Sequence, residues 1–396
     1  MIKIKLLSKA VVLIHICALV PHKAVANLHN MKSIIRKLFL FVLPSLFIFY
    51  IISCNLKKSS LVVLDIAAKP FEKLSEYNFF SGVINELKPN ARVLPYDLIT
   101  PLFSDYAHKA RFVYMPDGKS ADYDTTKVLQ FPVGSCLIKN FYYPDDFREK
   151  NGHRRIIETR LLVHRDKGWD ALTYIWNNEQ TEAALEIAGD IKKVSWTHYD
   201  GSKKEIDYLI PNKNQCKGCH WNNGINIVPI GPKVSNLNRD FEYDSVKENQ
   251  LVHWSKAGFL KNAPSPDNAP RLAGYLDSAH YTLDQRARAY MEVNCGHCHN
   301  PVGPAYTSGL LLNLENQNLE QLGFCKAPVA AGKATGNRLF DIVPGKPEES
   351  ILMYRIETDD PGMRMPEVGR SIRHVEGVAL LHQWISEMKP DACNVK

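Results

Sequence analysis

At 396 residues the chain is longer than one hydrophobic core usually organises, so two or three domains are expected. Its 45% apolar and 23% charged residues are those of a folded globular protein, which excludes disordered, collagen-like and multi-span membrane chains. The formal charge of +7 is concentrated at one end: Lys3, Lys5, Lys9, Lys23, Lys32, Arg36 and Lys37 precede residue 54, where there is no Asp or Glu. The remainder is near neutral, and a nucleic-acid partner loses its electrostatic basis.

Residues 1–53 read as a leader that holds the pattern of an export signal twice. Lys3, Lys5 and Lys9 precede an apolar run over 11–20 and an Ala24-Val25-Ala26 site, one candidate signal peptide. The second opens at Met31 with Lys32, Arg36 and Lys37, runs uncharged over 38–53 and ends Ile51-Ile52-Ser53-Cys54. A small residue before a cysteine after a short apolar run has the form of a bacterial lipoprotein signal, with Cys54 lipidated as the first mature residue. An uncleaved anchor is the alternative, but the run over 38–53 is broken by Pro44 and falls short of the about 20 residues that span a bilayer. Met31 is read as the true start. Either signal exports the chain to the cell envelope, where Cys54 would anchor it to the membrane facing the periplasm or cell surface, with 54–67 as a tether.

Residues 68–210 read as a β-rich domain. Short β-branched and aromatic runs recur over 126–131, 135–143, 154–164, 169–176, 192–199 and 205–210, separated by turn signals such as Asp117-Gly118, Asp166-Lys167-Gly168 and Asp200-Gly201. The spacing predicts a mainly antiparallel sandwich or barrel whose aromatic residues pack the core.

Nine cysteines then sort by position. Cys17 and Cys54 belong to the leader, and Cys136, Cys325 and Cys393 stand alone. The other four form Cys216-Lys217-Gly218-Cys219-His220 and Cys295-Gly296-His297-Cys298-His299, both C-x-x-C-H, the attachment signature of c-type haem. Thiols three residues apart share one face of a helical turn, where both can form thioethers to the haem vinyl groups, and the next residue meets the iron as a proximal imidazole. Two haems are expected, on Cys216, Cys219 and His220 and on Cys295, Cys298 and His299. Zinc is the rival for the same donors; a redox C-x-x-C or plain disulfides leave the histidines unexplained. His297, between two thioether cysteines, is expected to point to solvent. Cys325 and Cys393 could form a disulfide, although sequence alone does not give the connectivity.

Residues 211–281 and 282–392 read as two haem domains. Pro211 marks a change to helical, loop-rich sequence, with a helix expected over 249–257. Thr282-Leu283-Asp284-Gln285 has the form of a capping box, so a helix should begin there and run into the second motif. A last helix over 375–388 places Val378, Leu381, Trp384, Ile385 and Met388 on one stripe. The expected fold class is α+β multidomain: an N-terminal mainly antiparallel β domain followed by two mainly helical cytochrome c-like haem domains.

The sixth iron ligand decides between electron transfer and small-molecule chemistry. For the second haem it is Met365, on a Gly/Pro-bounded loop before the terminal helix, with Met363 as competitor; a thioether opposite histidine raises the potential. The first haem has no methionine over 221–290. Its candidates are His253, His280, His108, Met115, His164 and His198, or an open site.

The stretches over 95–118, 158–164, 211–220, 228–233, 286–301 and 365–369 resemble a poorly characterised family of bacterial dihaem c-type cytochromes, over about residues 70–390. That resemblance implies haem binding and electron transfer in the cell envelope and names no substrate. The expected function is electron transfer between a dehydrogenase donor and a terminal acceptor. A dihaem peroxidase-like enzyme with an open first haem is the alternative, and a glycan-binding or adhesion module with structural haems a third.

Overall fold

The computed structural model describes residues 62–222, 226–244, 246–390 and 393. The leader and Cys54 lie outside the described residues. Strands come first in the chain: β1 (Val93–Tyr96), β2 (His108–Tyr114), β3 (Ala121–Asp122), β4 (Cys136–Pro144), β5 (Arg154–Arg165), β6 (Gly168–Trp176), β7 (Ala183–Glu186), β8 (Asp190–Thr197) and β9 (Lys203–Ile210). Of the expected runs, that over 126–131 forms only isolated bridges, Val128 to Lys233 and Gln130 to Asp122.

The main sheet has eight strands, ordered β1-β2-β4-β5-β6 and continued by β11 (Asn226–Ile227) and β10 (Trp221–Asn222), with β7 also paired to β6. All its pairings are antiparallel. Alternation gives the two faces different jobs. Phe112, Tyr114, Ile138, Leu161, Val163, Leu172 and Tyr174 pack one face as a closed apolar core. The other face turns Lys109, Arg111, Lys139, Arg160, Leu162 and His164 toward a cavity. The β8–β9 hairpin closes one end, with Val194, Trp196, Ile206, Tyr208 and Ile210 packed on Phe141, Tyr143 and Phe147.

The helices are α1 (Lys213–His220), α2 (Val234–Leu237), α3 (Gln250–Lys256), α4 (Leu283–Asn294), α5 (Ile351–Glu357) and α6 (Val375–Ser386). The three short pairs β10–β11, β12 (Asp240–Tyr243) with β13 (Val246–Asn249), and β14 (Leu260–Lys261) with β3 lie among them. Thr282 caps α4 as its box predicts, Thr282 Oγ1 accepting from Gln285 N and Gln285 Oε1 from Thr282 N. The predicted stripe of α6 is buried: Leu381, Trp384 and Ile385 pack on Ala287, Tyr290 and Met291 of α4. Gly377 is where the helices touch, because a Cβ there would overlap the Tyr290 ring.

The expected pair of mainly helical cytochrome c-like domains is corrected by this arrangement: the described residues are mostly β with six α-helices. In the first haem segment the helices are eight, four and seven residues long, and β10 and β11 extend the main sheet through Ile227 against Trp169. In the second, residues 300–347 run as turns and single helical turns of the tighter kind. The cause is local. Pro229, Gly231 and Pro232, and later Pro301, Gly303, Pro304, Gly309, Pro328, Pro344 and Pro347, remove donors or favour turns wherever a longer helix would have to pass.

Candidate functional site

Helix α1 exists for one turn of chemistry. Asn212 caps it, its side chain accepting from Gln215 N at 2.9 Å while Gln215 Oε1 accepts from Asn212 N at 2.9 Å. Two turns follow, with Cys216 and Cys219 spaced i, i+3 on one face and His220 as the last residue. His220 Nδ1 lies 2.7 Å from the Val228 carbonyl, which can only accept, so Nδ1 carries the hydrogen and Nε2 keeps its lone pair. Burial pushes the His220 pKa down to about 4, which keeps the ring neutral at physiological pH.

The second motif repeats this on a different scaffold. Helix α4 ends at Asn294, and Cys295 to His299 continue as a further turn closed by Cys298 N and His299 N to Cys295 O at 3.0 and 2.9 Å. Gly296 is required there, since a Cβ would come within 2.7 Å of the Glu292 carbonyl. His299 Nδ1 donates to the Leu310 carbonyl at 3.2 Å, and burial lowers its pKa to about 4. Both histidines therefore present the same tautomer, a device typical of metal-ligating imidazoles.

The two motifs meet. Cys219 Sγ, Cys298 Sγ and a ring nitrogen of His297 lie within 4.8 Å of one another. The Cys298 thiol donates to the Gly218 carbonyl at 3.8 Å, and the closeness of Cys298 and His297 holds the Cys219 thiol below the ordinary thiol range while pushing Cys298 up. Cys216, Cys219, Cys295 and Cys298 are all free thiols, whereas Cys325 and Cys393 form the disulfide that their sequence positions allowed and Cys136 is buried and unpaired. His297 does not point to solvent as expected: its Nδ1 is buried without a partner and the residue lines the cavity.

That cavity, of about 1120 Å³, is bounded by Cys216, Cys219 and His220, by the inner face of the sheet and by His297. It tests the cofactor expectation. A thiol pair, a neutral imidazole with a free nitrogen and an apolar wall including Leu137, Leu162, Trp169 and Ala171 suit a large flat apolar ligand with a metal at its centre.

Of the candidates for sixth ligand at the first site, His164 alone shares this cavity. Its Nδ1 donates to the Phe131 carbonyl at 2.9 Å and its ring stacks on Trp169 at 4.5 Å. His253 is bonded to Glu248 and His280 to Asp277. His108 packs on Phe147, His198 accepts from Trp196, and Met115 is fully buried against Ser135. At the second site Met365 is held from both sides, its N–H donating to Arg355 O and its carbonyl accepting from Arg370 Nε, each at 2.8 Å. The charges of Arg355 and Glu367 reach His299 and Cys298, which sets this segment beside the second motif.

Sequence reading passed over the charged residues of the sheet. Lys109 and Arg111 alternate along β2, Lys139 interrupts the largely apolar run of β4, and Arg160 follows Glu158 by two in β5; a cation at a mid-strand position of β2 and β4 is the signal that could have found the first three.

No family model matches the chain, and neither a curated protein nor a solved structure matches it. Among the described residues no helix is long and apolar enough to cross a membrane.

Proposed function

We propose that the protein is an exported dihaem c-type cytochrome that transfers electrons in the cell envelope. Cys216, Cys219 and His220 would hold one haem, and Cys295, Cys298 and His299 the other. The observation that carries the proposal is the histidine geometry common to both motifs: each imidazole follows a thiol pair on a turn, is kept neutral by burial, and gives its Nδ1 hydrogen to a carbonyl. Two unrelated stretches of backbone arrive at one arrangement, which suits two equivalent attachments. The resemblance of the sequence to bacterial dihaem c-type cytochromes supports the same reading.

When bound, haem supplies reversible one-electron chemistry at its iron. The chain's residues do the rest. His220 and His299 offer Nε2 without first losing a proton. Cys219 and Cys298 set the two attachment points side by side, an arrangement suited to relaying electrons between sites. Met365 would supply a further ligand at the second site and His164 at the first. Two nitrogen ligands favour a lower potential than histidine with methionine, so electrons would pass from the first site to the second. A dehydrogenase donor and a terminal acceptor are the partners this direction calls for. Lipidation of Cys54 would keep the relay on the membrane, and Cys54→Ser should release it from the membrane fraction.

A redox titration with optical detection tests the relay. Two resolved one-electron steps and a low-spin first haem are expected; a high-spin first haem with rapid peroxide turnover would favour the peroxidase-like alternative. One observation favours a second reading, in which Cys219, His297 and Cys298 bind zinc through two thiolates and an imidazole. The two exclude each other at Cys219 and Cys298, since sulfur committed to a thioether no longer offers a thiolate.

A further inference from the structure

Across the inner face of the sheet, Arg111 of β2 stands opposite Lys139 of β4, Lys139 opposite Arg160 of β5, and Arg160 opposite Thr173 of β6. Three cations thus lie side by side on adjacent strands, with Lys109 two residues from Arg111, and all five residues line the cavity. Like charges directly opposite one another destabilise a sheet, and burying them adds to the cost.

Internal partners answer this only in part. Asp97 takes Arg111 at 3.0 Å but shares itself with Arg239 at 3.2 Å. Glu158 takes Arg160 at 2.5 Å and also accepts from Tyr208 at 2.7 Å. Lys109 donates to the carbonyls of Leu102 and Ala107. Among the described residues the Lys139 side chain has no hydrogen bond or ion pair; its ammonium has the Phe141 ring at 5.8 Å, a ring it shares with Arg160 at 4.3 Å and Lys109 at 5.6 Å. Arg111, 5% exposed, keeps a buried Nε with no acceptor. An unpaired ammonium on the wall of this cavity, flanked on the adjacent strands by the guanidinium groups of Arg111 and Arg160, calls for negatively charged oxygens.

We propose that Arg111, Lys139 and Arg160 form an oxyanion-binding site in the cavity beside the first C-x-x-C-H turn. Its ligand chemistry is carboxylate-type or inorganic oxyanion oxygen, delivered either by the propionates of a haem held at Cys216 and Cys219 or by a free small oxyanion. The propionate source rests on the dihaem proposal, and the free-anion source does not.

The test uses the full chain produced with c-type haem maturation, as wild type, Lys139→Met and Lys139→Arg. Each protein is titrated calorimetrically with inorganic phosphate against chloride at matched ionic strength, and its redox steps are recorded. A free-anion site predicts phosphate binding that weakens at least tenfold in Lys139→Met and survives in Lys139→Arg. A propionate site predicts no phosphate binding in wild type, with one redox step of Lys139→Met displaced to lower potential and Lys139→Arg unmoved. Absence of phosphate binding together with unmoved redox steps overturns the site. If denatured protein carries no covalent haem, the dihaem proposal fails separately and phosphate binding alone decides, its presence supporting the row and its absence overturning it. Lys139→Gln replaces Lys139→Met if the latter does not fold.

Discussion

Tyr354 donates its hydroxyl hydrogen to Met363 Sδ at 3.1 Å, and so occupies the sulfur that competes with Met365. Arg355 Nε fixes the Met363 carbonyl at 3.0 Å, and Arg370, 4% exposed, clamps the Met365 carbonyl at 2.8 Å. The two methionines are thereby assigned different work. Met365→Ala should abolish a sulfur-to-iron absorption band and lower one haem potential. Met363→Leu should leave both intact and cost under about 1.5 kcal/mol in stability. A band that survives in Met365→Ala moves the ligand to Met363.

At the first site His164→Gly should convert one haem from low to high spin, and added imidazole should restore it. Met115→Leu should change neither redox step, because the Met115 sulfur is fully buried against Ser135 at 3.5 Å. An unchanged spectrum in His164→Gly would remove that residue from the iron.

The Cys325–Cys393 bridge closes a separation of 68 residues. Chain-entropy reasoning values such a loop at about 4 kcal/mol. Cys393→Ser should lower the unfolding free energy by that order in denaturant titration, with haem content unaltered. A loss under about 1 kcal/mol would show that the bridge adds nothing.

His108, packed on Phe147 and Tyr142, has its pKa pushed down to about 4 by burial and then by neighbouring Lys109. The folded pKa is below the ordinary 6.5, so between pH 6.5 and 4 the unfolded chain binds a proton that the folded chain refuses. The stabilisation is complete above pH 6.5 and is lost as pH falls toward 4, by at most on the order of 3 kcal/mol. His108→Gln should flatten that part of the stability profile, and an equally steep profile in the variant would assign the acid loss to other groups.

Features carried by local chemistry are legible in the amino-acid sequence alone. The box at Thr282 and Gln285 specifies its own hydrogen bonds, the stripe from Val378 to Ile385 specifies a buried face, and the C-x-x-C-H spacing specifies thiols on one turn. What depends on partners distant in the chain is not. Trp221 and Ile227 read as loop because two-residue strands have no period, and only Trp169 across the gap makes them part of the main sheet. The cation row is invisible for the same reason: Arg111, Lys139 and Arg160 become one feature through strand register, which no single stretch encodes. The meeting of Cys219 with Cys298 likewise belongs to the packing of α1 against the turn after α4.

Covalent haem content, measured together with metal content, bears most directly on the central claim. Denatured wild-type protein should retain the absorbance of two c-type haems per chain, and replacing Cys295 and Cys298 by Ala should remove one of them. Protein that carries one zinc ion per chain at Cys219, His297 and Cys298 and retains no haem after denaturation would contradict it.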